Sequence, residues 1–323
     1  MGARHYYWQA LAHCRECVSY LDTRLKPYYC PLQQRNNHGI YAVNINAQVG
    51  FFAHLSWCLY IFAYCQRYNL IPYVVLSSPF YALSKGEDWF NYYFDNVKLT
   101  EEDRKKIARG LVKISHISDV EQLGLPVDPD FQLTLENAHA LFDRNMRIKS
   151  DMLEYVQSFV DKHFTGRTIL GVHYRGTDKK HEAKPISWEY CAQTISAYLA
   201  AHPGIEVLFV ASDEAAFIQW IGTEFKHMEV IHHDDQERSL DGKAIHVQPA
   251  QGNNFTKGKE ALVNCLLLSR CNALIRTASF LSAWSSIFNP ELPVVMLNSP
   301  YLEKLWFPDD LIIKKSLSAY LPS

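Results

Sequence analysis

The stretch GVHYRGTDKK, Gly171 to Lys180, places a histidine, an arginine, an aspartate and two lysines directly behind a run of β-forming residues. An arginine at the end of a buried strand needs an anionic partner, because an unpaired guanidinium is costly to desolvate. Its planar fork suits a phosphate. Two further strand-like runs end in polar clusters: EVLFVA is followed by Ser212 and Asp213, and NALI by Arg276, Thr277 and Ser279. Ser279 stands at the N-cap position of SFLSAWSSIF, where the first-turn N–H groups of a helix can receive an anion. On the preceding helical run, Lys257, Glu260 and Asn264 fall at i, i+3 and i+7, one polar face of an otherwise apolar helix. Read singly, His173 is a satisfied buried histidine, and Asp178 with Lys179 is a solvated turn. Read together, the clusters describe a diphosphate site built from side chains and a helix end, without a Walker loop or GxGxxG.

Such clusters meet only if their strands are parallel and adjacent. From Thr168 onward TILGVHY, IEVLFVAS, MEVIHH, a possible AIHV, NALIRT and LPVVML read as strands. Helical runs separate them: ISWEYCAQTISAYLAAH, EAAFIQWIGTEF, KGKEALVNCLLLSRC and SFLSAWSSIF. Alternation of this kind predicts a doubly wound, mostly parallel sheet, with ligands outside the carboxyl ends of its strands. In the first half, Ile40 to Ile45 and Ile71 to Leu76 read as strands around a helix from Val49 to Arg67. SSPFYALSKGEDWFNYYFDN follows as a long functional loop, then a surface helix from Glu101 to Arg109 and a helical stretch from Leu133 to Phe164. A linker at Thr165 and Gly166 divides an N-terminal domain, 1–165, from a C-terminal one, 166–323. Asn44, Asn46 and Gly50, at the first strand-to-helix turn, either face the cleft or serve the turn itself. The aromatics from Trp89 to Phe94 are core residues first and stacking platforms for sugar rings second.

Composition narrows the classes. Of 323 residues 48% are hydrophobic and 20% charged, enough for sizeable cores and far from disorder. A formal charge of -2 gives no field for nucleic acid or an anionic membrane, so an anion site has to be local. The eight cysteines include one CxxC, Cys14 and Cys17, with no second pair at zinc spacing. Cys58, Cys65, Cys191, Cys265 and Cys271 lie in helix-like runs and read as buried thiols of a reducing compartment. Val49 to Cys65 is barely long enough for a span and carries His54, Ser56 and Trp57, so neither membrane crossing nor a signal peptide is expected; a soluble cytoplasmic protein is. Asp128-Pro129-Asp130 fits a metal-binding DxD but sits in a Pro-rich connection. His232, His233, Asp234 and Asp235 read as a solvated loop, and Asn254-Phe255-Thr256 is a chance-level sequon.

In order and spacing, GVHYRGTDK, FVASDE and LVNCLLLSRCNALIRTASFLS resemble the three motifs of GDP-fucose-dependent fucosyltransferases, the group spanning nodulation, core and protein O-fucosyltransferases. The resemblance covers about Thr168 to Asn289. It implies a GT-B-like α/β fold, two Rossmann-like domains facing across a cleft, the acceptor entering from the first and the donor bound by the second. It implies an inverting, metal-independent transfer with no cofactor beyond the donor GDP-fucose, to a carbohydrate or glycoprotein acceptor. Arg175 matches the arginine that stabilises departing GDP, and His173 a residue lining the nucleotide pocket. Asp178 and Asp213 match acidic residues of the donor site, Asp178 counting with Arg175 among the catalytic candidates. Thr277 and Ser279 match the phosphate-contacting turn. Glu182, across a one-residue gap, matches a glutamate proposed as the base; its alternative is a surface carboxylate. Two positions depart from the pattern. Gly176 stands where a second arginine is common, so phosphate neutralisation leans on Arg175 with Lys257 or Arg276. Asn264 replaces an aspartate that can accept from two guanine N–H groups. Another nucleotide sugar, or a catalytically silent nucleotide-sugar-binding protein, are the alternative functions.

Overall fold

The computed structural model describes residues 39–97, 99–107, 111–121, 123, 133–176, 182–233, 253–301 and 306–312. Its strands are β1 (Ile40–Ile45), β2 (Ile71–Leu76), β3 (Phe94–Asn96), β4 (Val112–Ile114), β5 (Met146–Ile148), β6 (Ile169–Tyr174), β7 (Val207–Ser212), β8 (Glu229–Ile231), β9 (Ala273–Arg276) and β10 (Val294–Met296). The helices are α1 (Phe51–Arg67), α2 (Phe90–Tyr93), α3 (Glu101–Lys106), α4 (Ile117–Glu121), α5 (Leu135–Asn145), α6 (Ser150–His163), α7 (Trp188–Ala201), α8 (Ala215–Glu224), α9 (Asn254–Ser269) and α10 (Phe280–Phe288).

Among the described residues, β2-β1-β4 form one parallel sheet and β10-β9-β6-β7-β8 a second. The strand sequences explain the second sheet. ILGVHY and VLFVAS are buried at every position, as continuous apolar strands covered on both faces must be. In this sheet β6 is followed outward by β7 and β8 on one side and by β9 and β10 on the other. The winding therefore reverses between β6 and β9, and the crevice of such a sheet opens at that reversal. Register places His173 opposite both Ala211 and Arg276, so three strand ends lie level.

Helix α1 has no polar stripe, and it is buried nearly all round. It packs on β2, α5 and α10, and the Trp284 Nε1–H donates to Ser56 Oγ at 2.8 Å. One apolar core runs through Leu55, Phe142, Leu266 and Trp284 and joins the two sheets. Each side chain of this size contributes about 2–3 kcal/mol by its burial. Trp89, Phe90, Tyr93 and Phe94 belong to that core, at 2% exposure or less. Side-chain caps start several helices: Thr100 Oγ1 accepts from Asp103 N, Thr134 Oγ1 from Asn137 N, Ser187 Oγ from Tyr190 N, and Asn253 Oδ1 from Thr256 N.

The stretch from Leu133 to Phe164 is not one helix. Asn145 turns its Nδ2–H onto Leu141 O and closes α5, and Met146–Ile148 then pairs antiparallel with Phe94–Asn96. Helical patterning on both sides hides a three-residue strand whose partner lies far off in sequence. The long loop after β2 correspondingly ends in α2 and β3. Cys58, Cys65, Cys191, Cys265 and Cys271 are buried free thiols, their pKa values pushed up by burial where shifted. No helix among the described residues is long and apolar enough to cross a membrane.

Candidate functional site

At the reversal between β6 and β9 the ladder continues past the strands and into side chains. Thr277 N donates to His173 O at 3.0 Å, and Arg175 N donates to Thr277 Oγ1 at 2.9 Å. From β7, Asp213 Oδ1 accepts from Gly176 N at 3.3 Å while its Oδ2 lies 3.7 Å from Arg175 Nε. Both side chains of that ion pair are mostly buried, at 20% and 11% exposure. A charge pair there is screened less than one on an open surface. The ends of β6, β7 and β9 thus converge on Arg175.

The other wall comes from the first half of the chain. Tyr81, in the loop after β2, accepts from Phe51 N at the start of α1 at 2.8 Å. Burial pushes the Tyr81 hydroxyl up to about 12, against the pull of the Phe51 N–H and the Arg175 charge. The Lys257 ammonium stands 5.8 Å from the centre of the same ring. Tyr81 therefore meets Lys257 with its ring and feels the Arg175 charge at its hydroxyl. The loop that carries it is fastened to α9: Asn254 Nδ2 donates to Pro79 O at 3.0 Å and to Ala82 O at 2.8 Å. Tyr93 Oη donates to Phe255 O at 2.6 Å and packs on Gly258, where a Cβ would fall 2.7 Å from Tyr93 Cζ. The sequon asparagine is thus a structural pin between the halves.

Other expected site residues lie deeper. Arg276 is fully buried: its Nη2 donates to Asp309 Oδ1 at 2.5 Å and its Nη1 to Thr277 O at 3.5 Å. Its charge is spent on the C-terminal segment instead of the crevice. Asn264 is also fully buried, with Nδ2 on Glu260 O at 2.9 Å and Oδ1 without a partner among the described residues. The polar face of α9 is in fact buried at Lys257, Glu260 and Asn264, in a helix packed on α10, α6, β6 and β7. Ser279 occupies the N-cap position in extended conformation, yet its hydroxyl makes no capping bond. His173 is 4% exposed on its strand. Glu182 is half-buried; its carbonyl accepts from Tyr301 N at 2.9 Å and the next residue, Ala183, bridges Pro300. Thr177, Asp178, Lys179, Cys14, Cys17, Asp128, Asp130, Asp234, Asp235 and AIHV lie outside the described residues. His233 Nε2 is bonded to Tyr155 Oη at 2.7 Å, and no group of three or more metal-ligating side chains occurs among the described residues.

At the carboxyl edge of the first sheet the asparagines are bonded to hydroxyls, and two carboxylates hold the backbone: Asp88 Oδ1 accepts from Leu76 N at 2.8 Å and Asp119 Oδ2 from Ser115 N at 2.8 Å. Ser77 Oγ donates to Asn44 Oδ1 at 2.6 Å, and Ser115 Oγ to Asn46 Oδ1 at 2.8 Å. Gly50 precedes α1, and its carbonyl meets His54 Nδ1 at 3.0 Å while Ala47 O meets Nε2 at 3.0 Å. A cavity of about 490 Å³, lined by Phe142, Arg147, Leu266, Arg270 and Phe288, lies at the C-terminal ends of α9 and α10, the end away from Arg175.

No protein-family model matches the sequence, and a search of the curated proteins returns no match. Solved structures do match. The fucosyltransferase NodZ from Bradyrhizobium superposes with a TM-score of 0.53 at 17% identity, over 79% of this chain and 96% of that one. NodZ alpha-1,6-fucosyltransferase co-crystallized with GDP gives 0.51 at 17% identity, over 79% and 94%. The chain has the GT-B fold of these structures. At that identity the likeness is one of fold.

Three residues around these strand ends, Tyr81, Asp309 and Glu214, were not singled out by the sequence patterns. Tyr81 sits in an aromatic-rich loop without periodicity, and Asp309 is separated from Arg276 by more than one element. Glu214 had a signal, the second acid of FVASDE, which was absorbed into its neighbour Asp213. Its Oε2 accepts from Trp188 Nε1 at 3.2 Å. Burial, with Asp213 adding to it, raises the Glu214 carboxyl above its ordinary range, against the Trp188 hydrogen bond.

Proposed function

We propose that this chain is an inverting glycosyltransferase that moves fucose from GDP-fucose to a glycan or glycoprotein acceptor. Residues 1–165 present the acceptor and residues 166–323 hold the donor. The observation that carries the reading is Arg175, held by Thr277 and Asp213 at the reversal of a parallel sheet, with Lys257 across the Tyr81 ring. When the acceptor hydroxyl attacks the anomeric carbon, the bond from that carbon to the β-phosphate oxygen breaks. Negative charge then grows on the departing diphosphate. A fixed guanidinium stabilises that charge more in the transition state than in the bound donor, and this difference accelerates transfer. Glu182 takes the proton of the attacking hydroxyl. Arg175 and Lys257 supply the positive charge in this scheme, which gives a metal no part, and transfer in EDTA is expected to match the untreated rate.

The test is release of GDP from GDP-fucose in the presence of a glycan acceptor array. Arg175→Ala is expected to lower kcat about 10²- to 10³-fold, the usual effect of removing one donor to a developing oxyanion. Undiminished transfer by that variant overturns the role of Arg175. Because Asn264 is buried against Glu260, the base is read by a thermal-shift series with GDP, UDP and dTDP. Stabilisation by UDP or dTDP alone would change the donor and retain the transfer.

A further inference from the structure

Gly176 follows Arg175 on the exit from β6, and its missing side chain is matched by a neighbour. A Cβ built at 176 would lie 2.7 Å from Glu214 Cδ, closer still to Glu214 Oε1, and 2.9 Å from Tyr174 Cε1. The Glu214 carboxylate therefore fills the volume that any side chain at 176 would enter. It is itself held from two directions: Oε2 by Trp188 Nε1 at 3.2 Å, and its backbone N–H by Ser212 Oγ at 3.1 Å. The adjacent acid, Asp213, takes the Gly176 N–H and faces Arg175 Nε. Two successive acids from β7 thus grip two successive residues after β6. Trp188 and Gly176 are far apart in sequence, on either side of Glu182, and Glu214 touches both.

We infer that Glu214 is a positioning residue for Arg175: its carboxylate, fixed by Trp188 and seated against Gly176, sets the backbone from which the guanidinium reaches a diphosphate. The role rests on the donor reading above. A side chain at 176 and a carboxylate at 214 exclude one another, so their effects couple instead of adding.

The experiment measures GDP affinity by calorimetry and kcat and KM for GDP-fucose in five proteins: unmodified, Gly176→Ala, Glu214→Ala, the double variant and Glu214→Gln. Each single variant is expected to bind GDP about 10-fold more weakly, the size of one misplaced charge-assisted contact. In the double variant the added methyl has room, and its affinity is expected to fall no more than about 3-fold below Glu214→Ala alone instead of by the full second loss. Glu214→Gln, which keeps the volume and an acceptor for Trp188, is expected to stay within about 3-fold of the unmodified protein in both KM and kcat. Losses that simply add in the double variant, or a Glu214→Gln as impaired as Glu214→Ala, overturn the positioning role while transfer by the unmodified protein stands. Absence of GDP binding by the unmodified protein overturns the donor reading and the positioning role together.

Discussion

The carboxyl edges of the two sheets are built from the same topological parts and differ in charge. At the first, Asn44 and Asn46 are paired with the neutral Ser77 and Ser115, and the charged groups, Asp88 and Asp119, are acidic and occupied by backbone N–H groups. At the second, Arg175, Asp213 and Glu214 crowd around one strand exit. Neutral amide–hydroxyl pairs are cheap to desolvate, whereas clustered charges are retained at a stability cost where they serve a site. Parallel topology therefore supplies two similar edges, and side-chain charge decides which one can bind an anion. The first edge contributes through Tyr81, whose ring meets Lys257 and whose hydroxyl feels the Arg175 charge.

Three measurements sharpen that contrast, beginning with the largest effect. The second sheet carries two arginines at level strand ends, and only Arg175 is assigned to the crevice. If Arg276 is structural, Asp309→Ala, which strands a fully buried guanidinium, should cost about 3–5 kcal/mol in urea denaturation. A cost under about 1 kcal/mol would mean that the pair is not what docks the C-terminal segment.

At the first edge, His54 binds the turn before α1 while neutral. A neutral imidazole has one N–H and can donate to only one of the two carbonyls it meets, Gly50 O and Ala47 O. Burial nevertheless dominates and lowers its pKa from 6.5 to about 4, the two carbonyls pulling the other way. The folded chain thus resists a proton that the unfolded chain accepts. Stability is full above pH 6.5 and falls as the pH drops from there to about 4, by about 3 kcal/mol in all. Denaturation midpoints across that window should decline less steeply in His54→Gln than in the unmodified protein, and parallel curves would refute the neutral histidine.

The smallest effect belongs to the neutral pairs. Asn44→Ala should lower stability by about 1 kcal/mol, one hydrogen bond's worth, and leave GDP affinity unchanged. A loss of affinity in this variant would break the contrast between the edges, since it would place an uncharged first-sheet pair in the donor site.

Much of the fold was legible in the sequence. Alternating apolar runs and helical periods announced the second parallel sheet, the β1-α1-β2 unit of the first, and the placing of His173, Arg175, Asp213 and Thr277 at strand ends, whereas β4, three residues long, was not legible. Helix α1 was readable as a helix, but its all-round burial depends on α5 and α10 packing against it. The strand Met146–Ile148 was not legible, since three residues carry no periodicity and its partner is Phe94–Asn96. Arg276 and Arg175 looked alike as strand-end arginines. One is paired with Asp309 in the interior and the other stands at the crevice, a difference made by a segment remote in sequence.

By itself the sequence determined which residue types stand at the ends of which strands, because β-strand and helix periods are local and the parallel α/β pattern brings strand ends to one edge. Tertiary structure alone decided which of those residues are drawn into the interior and which remain at the crevice. Burial and pairing are set by contacts between distant segments: Asp309 withdraws Arg276, Glu214 excludes a side chain at Gly176, and Tyr81 crosses from the first half to meet Lys257.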